Sequence, residues 1–398
     1  MELSHRVQAI KESPTLAITA KAQKLKAEGR DVIALAAGEP DFDTPAHIKA
    51  AAIAAIEQGF TKYTPVSGTP GLKSAIISKF RRDQGLDYTA RQILVSCGGK
   101  QSFYNLAQAY LNTCDEVIIP APYWVSYPDM VILAEGKPVV VSCGIDQGFK
   151  ISPAQLEAAI TPRTKLLVLN SPSNPTGAVY TIDELRALGE VLKRHPDVLI
   201  ASDDMYEHVM LGDTRFANIL NACPELYPRT ILLNGVSKAY SMTGWRIGYA
   251  AGPEVLIKAM ENIQSQSTSN PTSISQVAAE AALNGPQAEC FAPMLAAFNQ
   301  RHEFVVARFN QIRGLHCLKA GGAFYAFVDA RGAIDNLHRE GKLAAPTDLA
   351  LASYLLEAQD VAVVPGSAFG ADGYFRISFA TSMGNLEKAL ARIEVALA

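Results

Sequence analysis

Short apolar runs alternate with longer amphipathic stretches along the middle of the chain. Candidate strands lie at 92–96 (Q-I-L-V-S), 116–120 (E-V-I-I-P), 138–142, 165–170, 197–202, 230–234 and 246–251. Helix-length segments such as 100–112 and 182–194 separate most of them. Near-continuous apolar strands divided by helices predict an α/β fold with a mostly parallel sheet covered on both faces. Two segments carry capping boxes, Ser152 with Gln155 and Thr181 with Glu184. From about 285 the texture changes. A helical stretch at 287–312 is followed by G-G-A-F-Y-A-F-V-D (321–329), a helix near 347–358, V-A-V-V-P-G (361–366), F-R-I-S-F-A (375–380) and a last helix from about 384. This predicts a smaller α+β domain over 286–398, a large domain over 46–285, and an N-terminal arm over 1–45 that packs with the small domain or with a partner subunit.

Composition narrows the function. Of 398 residues 48% are hydrophobic and 19% charged, which supplies a large core and argues against disorder. The formal net charge is −3 and no basic run occurs, so small ligands are expected as partners and nucleic acid is not. Six cysteines (97, 114, 143, 223, 290 and 317) form no C-x-x-C pair and no zinc spacing. Reduced thiols, a cytoplasmic location and no metal are expected. The first residues, M-E-L-S-H-R-V-Q-A-I-K, lack the apolar core of a secretory signal, and no apolar run reaches membrane-spanning length.

Ligands of such sheets bind beyond the carboxyl ends of the strands. The segment 234–250 reads N-G-V-S-K-A-Y-S-M-T-G-W-R-I-G-Y-A. A lysine in a small-residue turn after an apolar strand, with an arginine eight positions on, suits a carbonyl cofactor held as a Schiff base and bound by its phosphate. Lys238 and Arg246 therefore point to pyridoxal phosphate. Gly98 and Gly99 open a helix after the first strand, where backbone N–H groups can meet a phosphate; a plain tight turn reads equally well. Trp124 ends the next strand and offers a stacking face or ordinary core packing. Asn174 sits in the rigid loop N-S-P-S-N-P-T-G (170–177), which is either a functional loop or punctuation. Asp203 can keep a pyridine nitrogen protonated, and Tyr206 three residues on can meet the ring's 3-oxygen. Arg376 in F-R-I-S-F is an arginine in an apolar strand that needs a carboxylate, the substrate's or an internal one.

Together these motifs resemble the fold type I, class I pyridoxal-phosphate aminotransferases. They look most like the bacterial aspartate aminotransferases of the branch that meets the side-chain carboxylate with a lysine. The likeness runs over essentially the whole chain. It includes A-A-G-E-P-D-F-D-T-P (36–45), K-Y-T-P-V-S-G (62–68), A-P-Y-W-V-S-Y-P (121–128), N-S-P-S-N-P-T-G, S-D-D-M-Y-E-H (202–208), N-G-V-S-K-x5-G-W-R-I-G-Y, S-T-S-N-P-T-S (267–273) and F-R-I-S-F-A. The resemblance implies a large domain built on a seven-stranded sheet. It implies that Lys238 binds the cofactor and moves the proton between the substrate Cα and the cofactor. It pairs Asp203 with the pyridinium, Tyr206 and Asn174 with the 3-oxygen, and Trp124 with the ring face. Ser237, Arg246 and the backbone of Gly98, Gly99 and Lys100 take the phosphate, with Tyr63 reaching in from the other subunit of a homodimer. Arg376, aided by Gly38, Asn174 and Trp124, takes the substrate α-carboxylate. Lys100, with Ser13 and Thr15 on a lid-like N-terminal segment, takes the distal carboxylate.

The expected reaction moves the amino group of L-aspartate to 2-oxoglutarate in two half-reactions. Relatives of this scaffold also imply prephenate, aromatic amino acids or alanine as substrates, and Lys100, Ser13, Thr15 and Lys11 favour a dicarboxylate. A β-lyase or decarboxylase on the same fold and a cofactor-sensing regulatory module are the rival readings. The second would normally carry a basic DNA-binding domain, and the pattern here begins almost at once.

Overall fold

The computed structural model describes residues 3–10 and 14–398, with side chains from Ala17 onward in the second stretch. The seven apolar runs pair in one sheet. They are β1 (Ile93–Ser96), β2 (Glu116–Ala121), β3 (Lys137–Ser142), β4 (Thr164–Asn170), β5 (Leu199–Asp203), β6 (Thr230–Gly235) and β7 (Gly248–Ala251). Their order is β1-β7-β6-β5-β4-β2-β3, and only β7 runs antiparallel to its neighbours. The fold is α/β, with the mostly parallel sheet that the apolar runs predicted.

Side chains alternate between two buried faces, as the two-residue strand period requires. Ile93, Val95, Leu167, Leu169, Ile200 and Leu232 join one apolar layer. Leu94, Leu166, Val168, Leu199, Ala201, Ile231 and Leu233 join the other. Helices Ala46–Glu57, Pro70–Gln84, Ile182–Lys193 and Ser273–Asn284 cover the first face. Helices Gly99–Tyr110, Ser126–Leu133 and Glu254–Ser265 cover the second. Both capping boxes form: Ser152 Oγ accepts from Gln155 N at 3.2 Å, and Thr181 Oγ1 from Glu184 N at 3.2 Å. The edge strand β3 is partly solvated along its length, because it has a neighbour on one side only.

Among the boundaries that differ from expectation, three have a clear physical reason. Strand β7 starts at Gly248, not at 246, because Arg246 lies in the left-handed region at φ +58 after the turn Thr243–Trp245. The helix expected over 287–312 ends at Phe309; Gln311 and Ile312 bond three residues back in a tightened turn ahead of Gly314 at φ +83. The run 361–366 is divided between two sheets. Val361–Ala362 pairs in parallel with Ile33–Ala34. Val364–Pro365 joins a four-stranded antiparallel sheet with Tyr374–Ser378, Tyr325–Asp329 and His316–Cys317. Helix Pro14–Ala27 and the chain after it lie against these C-terminal elements. Lys21 pairs with Glu357 at 2.8 Å, and Ala22, Val32, Leu356 and Ala362 share a small apolar cluster.

A buried polar cluster ties the ends of β5 and β6 together. Glu207 pairs with the Lys79 ammonium and accepts from Gln84 and, at 2.7 Å, from Asn234 Nδ2. Asp83 lies 3.9 Å from Lys79, and His208 Nε2 lies 3.4 Å from both Asp83 and Glu207. Burial alone would raise the Glu207 carboxyl; the charges of Lys79 and His208, with hydrogen bonds from Lys79 and Asn234, hold it below its ordinary value. The Lys79 side chain is fully buried, so these partners take the place of water around it. Glu207→Gln should therefore lower unfolding stability by about 3 kcal/mol, and Lys79→Met with Glu207→Leu should recover most of that loss. The urea midpoint of each variant checks it; a single variant as stable as the parent would mean the pair is not needed.

Candidate active site

The carboxyl ends of the parallel strands share one sheet edge, and antiparallel β7 begins at that same edge. Residues flanking these ends therefore converge. A cavity there is lined by Gly99 and Lys100 after β1, Trp124 after β2, Asn170 and Asn174 from β4, and Asp203, Met205 and Tyr206 from β5. Ser237, Lys238 and Thr243 follow β6, and Arg246 precedes β7. Gly38, Tyr325 and Arg376 close it from the other sheets.

Lys238 Nζ donates to the Gly38 carbonyl at 2.6 Å. Burial, then the charges of Arg246 and Arg376, lower its pKa to about 8. The amine is thus partly neutral near physiological pH, as a nucleophile or base must be. Asp203 forms the facing wall. Tyr127 donates its hydroxyl to Asp203 Oδ2, and Met205 N reaches Oδ1 at 3.2 Å. Burial raises the Asp203 carboxyl, while the Tyr127 hydrogen bond opposes the shift. The Tyr206 hydroxyl meets that of Tyr325 at 2.7 Å, and the Lys238 amine lies 6.0 Å from the Tyr206 ring centroid.

One end of the cavity is built for an anion. Helix Gly99–Tyr110 starts there, and Arg246, Ser237 and Lys100 face the same space. Arg246 donates to Thr243 O at 2.8 Å and Cys97 O at 3.3 Å, which fixes its guanidinium against the turn. Gly98 sits at φ +89, and a Cβ there would run into that guanidinium. A Cβ on Gly248 would press on the backbone of Gly98 and Gly99, so the close approach of β7 needs glycine. Trp124 stands on the cavity wall, edge-on to Tyr127, with Lys100 Nζ 5.4 Å from its ring.

Arg376 is 3% exposed. It donates to Asn174 Oδ1 at 2.8 Å and Ala36 O at 2.7 Å, and its guanidinium lies 4.4 Å from the Tyr325 ring centroid and 5.0 Å from that of Phe369. Its Nε has no partner. Among the described residues no carboxylate pairs with it, so the internal salt bridge left open by the sequence is not what holds this charge. A depressed amine, an anion cradle, a buried carboxylate and an arginine lacking a counter-charge form a donor set that fits a phosphorylated carbonyl cofactor and a carboxylate substrate together.

The structure thus brings together Gly38, Gly99, Lys100, Trp124, Asn174, Asp203, Tyr206, Ser237, Lys238, Arg246 and Arg376, with Gly98 at the cradle turn. Tyr63 lines no part of this cavity; its side chain is 92% exposed on the loop after helix Ala46–Glu57. Lys11 and Ser13 lie outside the described residues, as does the side chain of Thr15. Sequence reasoning missed Tyr127, Tyr325 and Asn170 as site residues. Tyr127 and Asn170 stood inside quoted motifs. Tyr325 stood in the quoted run 321–329, but nothing there linked it to Tyr206, which it meets from 119 positions away.

The chain is similar to known proteins over nearly its whole length. A family model described as aminotransferase class I and II matches residues 30–393. The aspartate/prephenate aminotransferase of Nitrosomonas europaea is 64% identical over 393 residues, 99% of each chain. That of Cereibacter sphaeroides is 57% identical, over 98% of each. The crystal structure of the aspartate aminotransferase from Rhizobium meliloti is similar at TM-score 0.94 and 50% identity, covering 100% of this chain and 99% of that one. The aspartate aminotransferase from Thermus thermophilus with maleate gives 0.91 and 44%, covering 100% of both.

In protein stripped of small ligands, Lys238 should form an imine with a small aldehyde with a pH midpoint of about 8. Arg246→Gln removes a positive charge that disfavours the ammonium, so the midpoint should rise toward the ordinary 10.5. Borohydride trapping followed by mass measurement across pH checks both. An unmoved midpoint would show that the Arg246 charge does not reach the amine.

Proposed function

This chain belongs to the class I and II aminotransferase family, and from that premise we propose that it moves the amino group of L-aspartate to 2-oxoglutarate with pyridoxal phosphate. The observation that carries this reading is the pairing, across one cavity, of the partly neutral Lys238 amine with a buried Arg376 that has no carboxylate partner among the described residues. The names of the Nitrosomonas and Cereibacter proteins favour prephenate as a second substrate. The maleate in the Thermus structure is a dicarboxylate and supports the preference for two carboxylates.

Pyridoxal phosphate supplies an aldehyde that takes the amino group and a protonated ring that draws electrons from the substrate Cα. Arg246, Ser237 and the backbone at Gly98, Gly99 and Lys100 bind its phosphate. Asp203, held by Tyr127, keeps a proton on the ring nitrogen. Tyr206 and Asn174 fix the 3-oxygen, and Trp124 covers the ring. Arg376, with Gly38, Trp124 and Asn174, clamps the α-carboxylate and so presents the Cα–H to Lys238. Lys238, whose amine is made a weaker base by burial and the neighbouring arginines, would take that proton and hold it for return. Lys100, assisted by Ser13 and Thr15, receives the distal carboxylate as a point charge, which tolerates some breadth of substrate. The protein works as a cytoplasmic homodimer in which Tyr63 reaches the phosphate of the partner's site. The arm 1–45, which packs with the small domain 286–398, serves as a lid that closes over the site of the large domain 46–285 on substrate binding.

Added L-aspartate should convert the bound cofactor's visible absorbance to that of its amine form, and 2-oxoglutarate should restore it. Lys238→Ala should do neither, and Arg376→Ala should lower kcat/KM for aspartate by about a hundredfold. Lys100→Ala should raise KM for aspartate about tenfold while changing that for aromatic amino acids less. A cofactor band that ignores aspartate yet responds to prephenate and an amino donor would make prephenate the main substrate. Release of pyruvate and ammonia, with no need for a keto acid, would point to β-lyase chemistry instead.

A further inference from the structure

The loop 60–69 has no regular structure before its last residue caps helix Pro70–Gln84, yet it is fastened from inside along its whole length. Ser273 Oγ donates to Phe60 O at 2.8 Å. Gln276 donates to Thr64 Oγ1 at 2.9 Å and Pro271 O at 2.8 Å, and accepts from Thr69 N at 2.8 Å. Gln264 donates to Val66 O and Val95 O, both at 2.8 Å, and accepts from Asn105 Nδ2 at 2.9 Å. Both carboxamides are 0% exposed. Both donor hydrogens and the oxygen of each are used. A buried amide carries a desolvation cost that only such full pairing offsets, so these side chains are specific devices, not filler.

What they hold is unusual. Surface loops normally keep conformational freedom. This one is fixed on both sides of Tyr63, while the Tyr63 ring itself points away from the chain and is 92% exposed. A bulky aromatic presented on a fastened loop is suited to reach something outside its own subunit. Leaving it mobile would add the cost of ordering it on contact.

We propose that Gln264 and Gln276 are positioning residues for Tyr63, setting the loop so that its hydroxyl arrives at the phosphate of the partner's site. This rests on the reading of Tyr63 given above. Gln276 fixes the residue next to Tyr63 through Thr64; Gln264 fixes the loop's far limb to β1 and to helix Gly99–Tyr110, which opens this chain's own anion cradle. Each subunit's loop is thereby tied to the frame of its own phosphate site while serving the other.

The test is a double-mutant cycle on pyridoxal phosphate affinity, measured by absorbance titration of the cofactor-free dimer, with melting temperature recorded alongside. Tyr63→Phe removes only the hydroxyl and should weaken binding about tenfold. Gln276→Met keeps the volume, frees the loop and should weaken it by a similar factor. Combined, the two should again give about tenfold, because the second change acts through the group the first removed. A combined loss near a hundredfold, or a Gln276→Met variant that melts lower with unchanged affinity, would overturn the positioning role. Tyr63→Phe without effect would instead remove the reading of Tyr63 itself, and the inference with it. Thr64→Val deletes only the hydroxyl facing Gln276 and guards against a misfolded Gln276 variant. It should weaken binding about threefold alone and add nothing to Tyr63→Phe.

Discussion

Four basic side chains, Lys100, Lys238, Arg246 and Arg376, face one cavity, and holding that much positive charge in a poorly solvated space is the constraint on which the rest of the site depends. Charges that close inside protein interact far more strongly than in water. Burial first, and then the charges of Arg246 and Arg376, loosen the proton on Lys238. Asp203 supplies negative charge on the wall, and Glu39 adds some near the lysine. Two anionic guests would complete the balance, one at the helix terminus with Arg246 and one at Arg376.

Behind that wall stands a second layer that touches no guest. Asp203 and Tyr206 face the cavity, while Asp204 and Glu207, the next residue after each, face away into the buried polar cluster with Lys79, Asn218 and Asn234. Burial and the neighbouring Glu207 push the Asp204 carboxyl up to about 8, with Ser202 and Asn218 bonded to it. The ends of β5 and β6, which carry Asp203 and Lys238, are therefore locked from the far side. A catalytic pair on two strand ends keeps its geometry only if those ends cannot slide.

The segment 38–44 adds a third restraint. Gly38 accepts from Lys238, Glu39 accepts from Thr243 Oγ1 at 2.9 Å, and Thr44 donates to the Ser241 carbonyl at 2.8 Å while accepting from Trp245 Nε1 at 3.0 Å. The turn between Lys238 and Arg246 is thus clasped by a piece of chain some two hundred residues earlier. Thr44, Glu39 and Trp245 all stand inside motifs whose purpose the sequence left open. Their chemistry is ordinary hydrogen bonding; their placement is what matters.

By itself the sequence determined the local grammar. Apolar alternation set β1 to β7, Ser152 and Thr181 set their helix starts, and the residue types at strand ends set where chemistry would lie, because these depend on neighbours a few positions away. It also marked Lys238, Asp203 and Arg376 individually. Only the tertiary structure decided that Arg376 has no acidic partner among the described residues, that Tyr325 and Tyr127 complete the site, that Arg246 closes a turn and does not begin a strand, and that 361–366 serves two sheets. Arg376, Tyr325 and Tyr127 meet partners 202, 119 and 76 positions away, and Val361–Ala362 pairs with Ile33–Ala34 near the other end of the chain, whereas the turn at Arg246 is local. A periodic pattern records which face of an element is buried, not which distant side chain it meets.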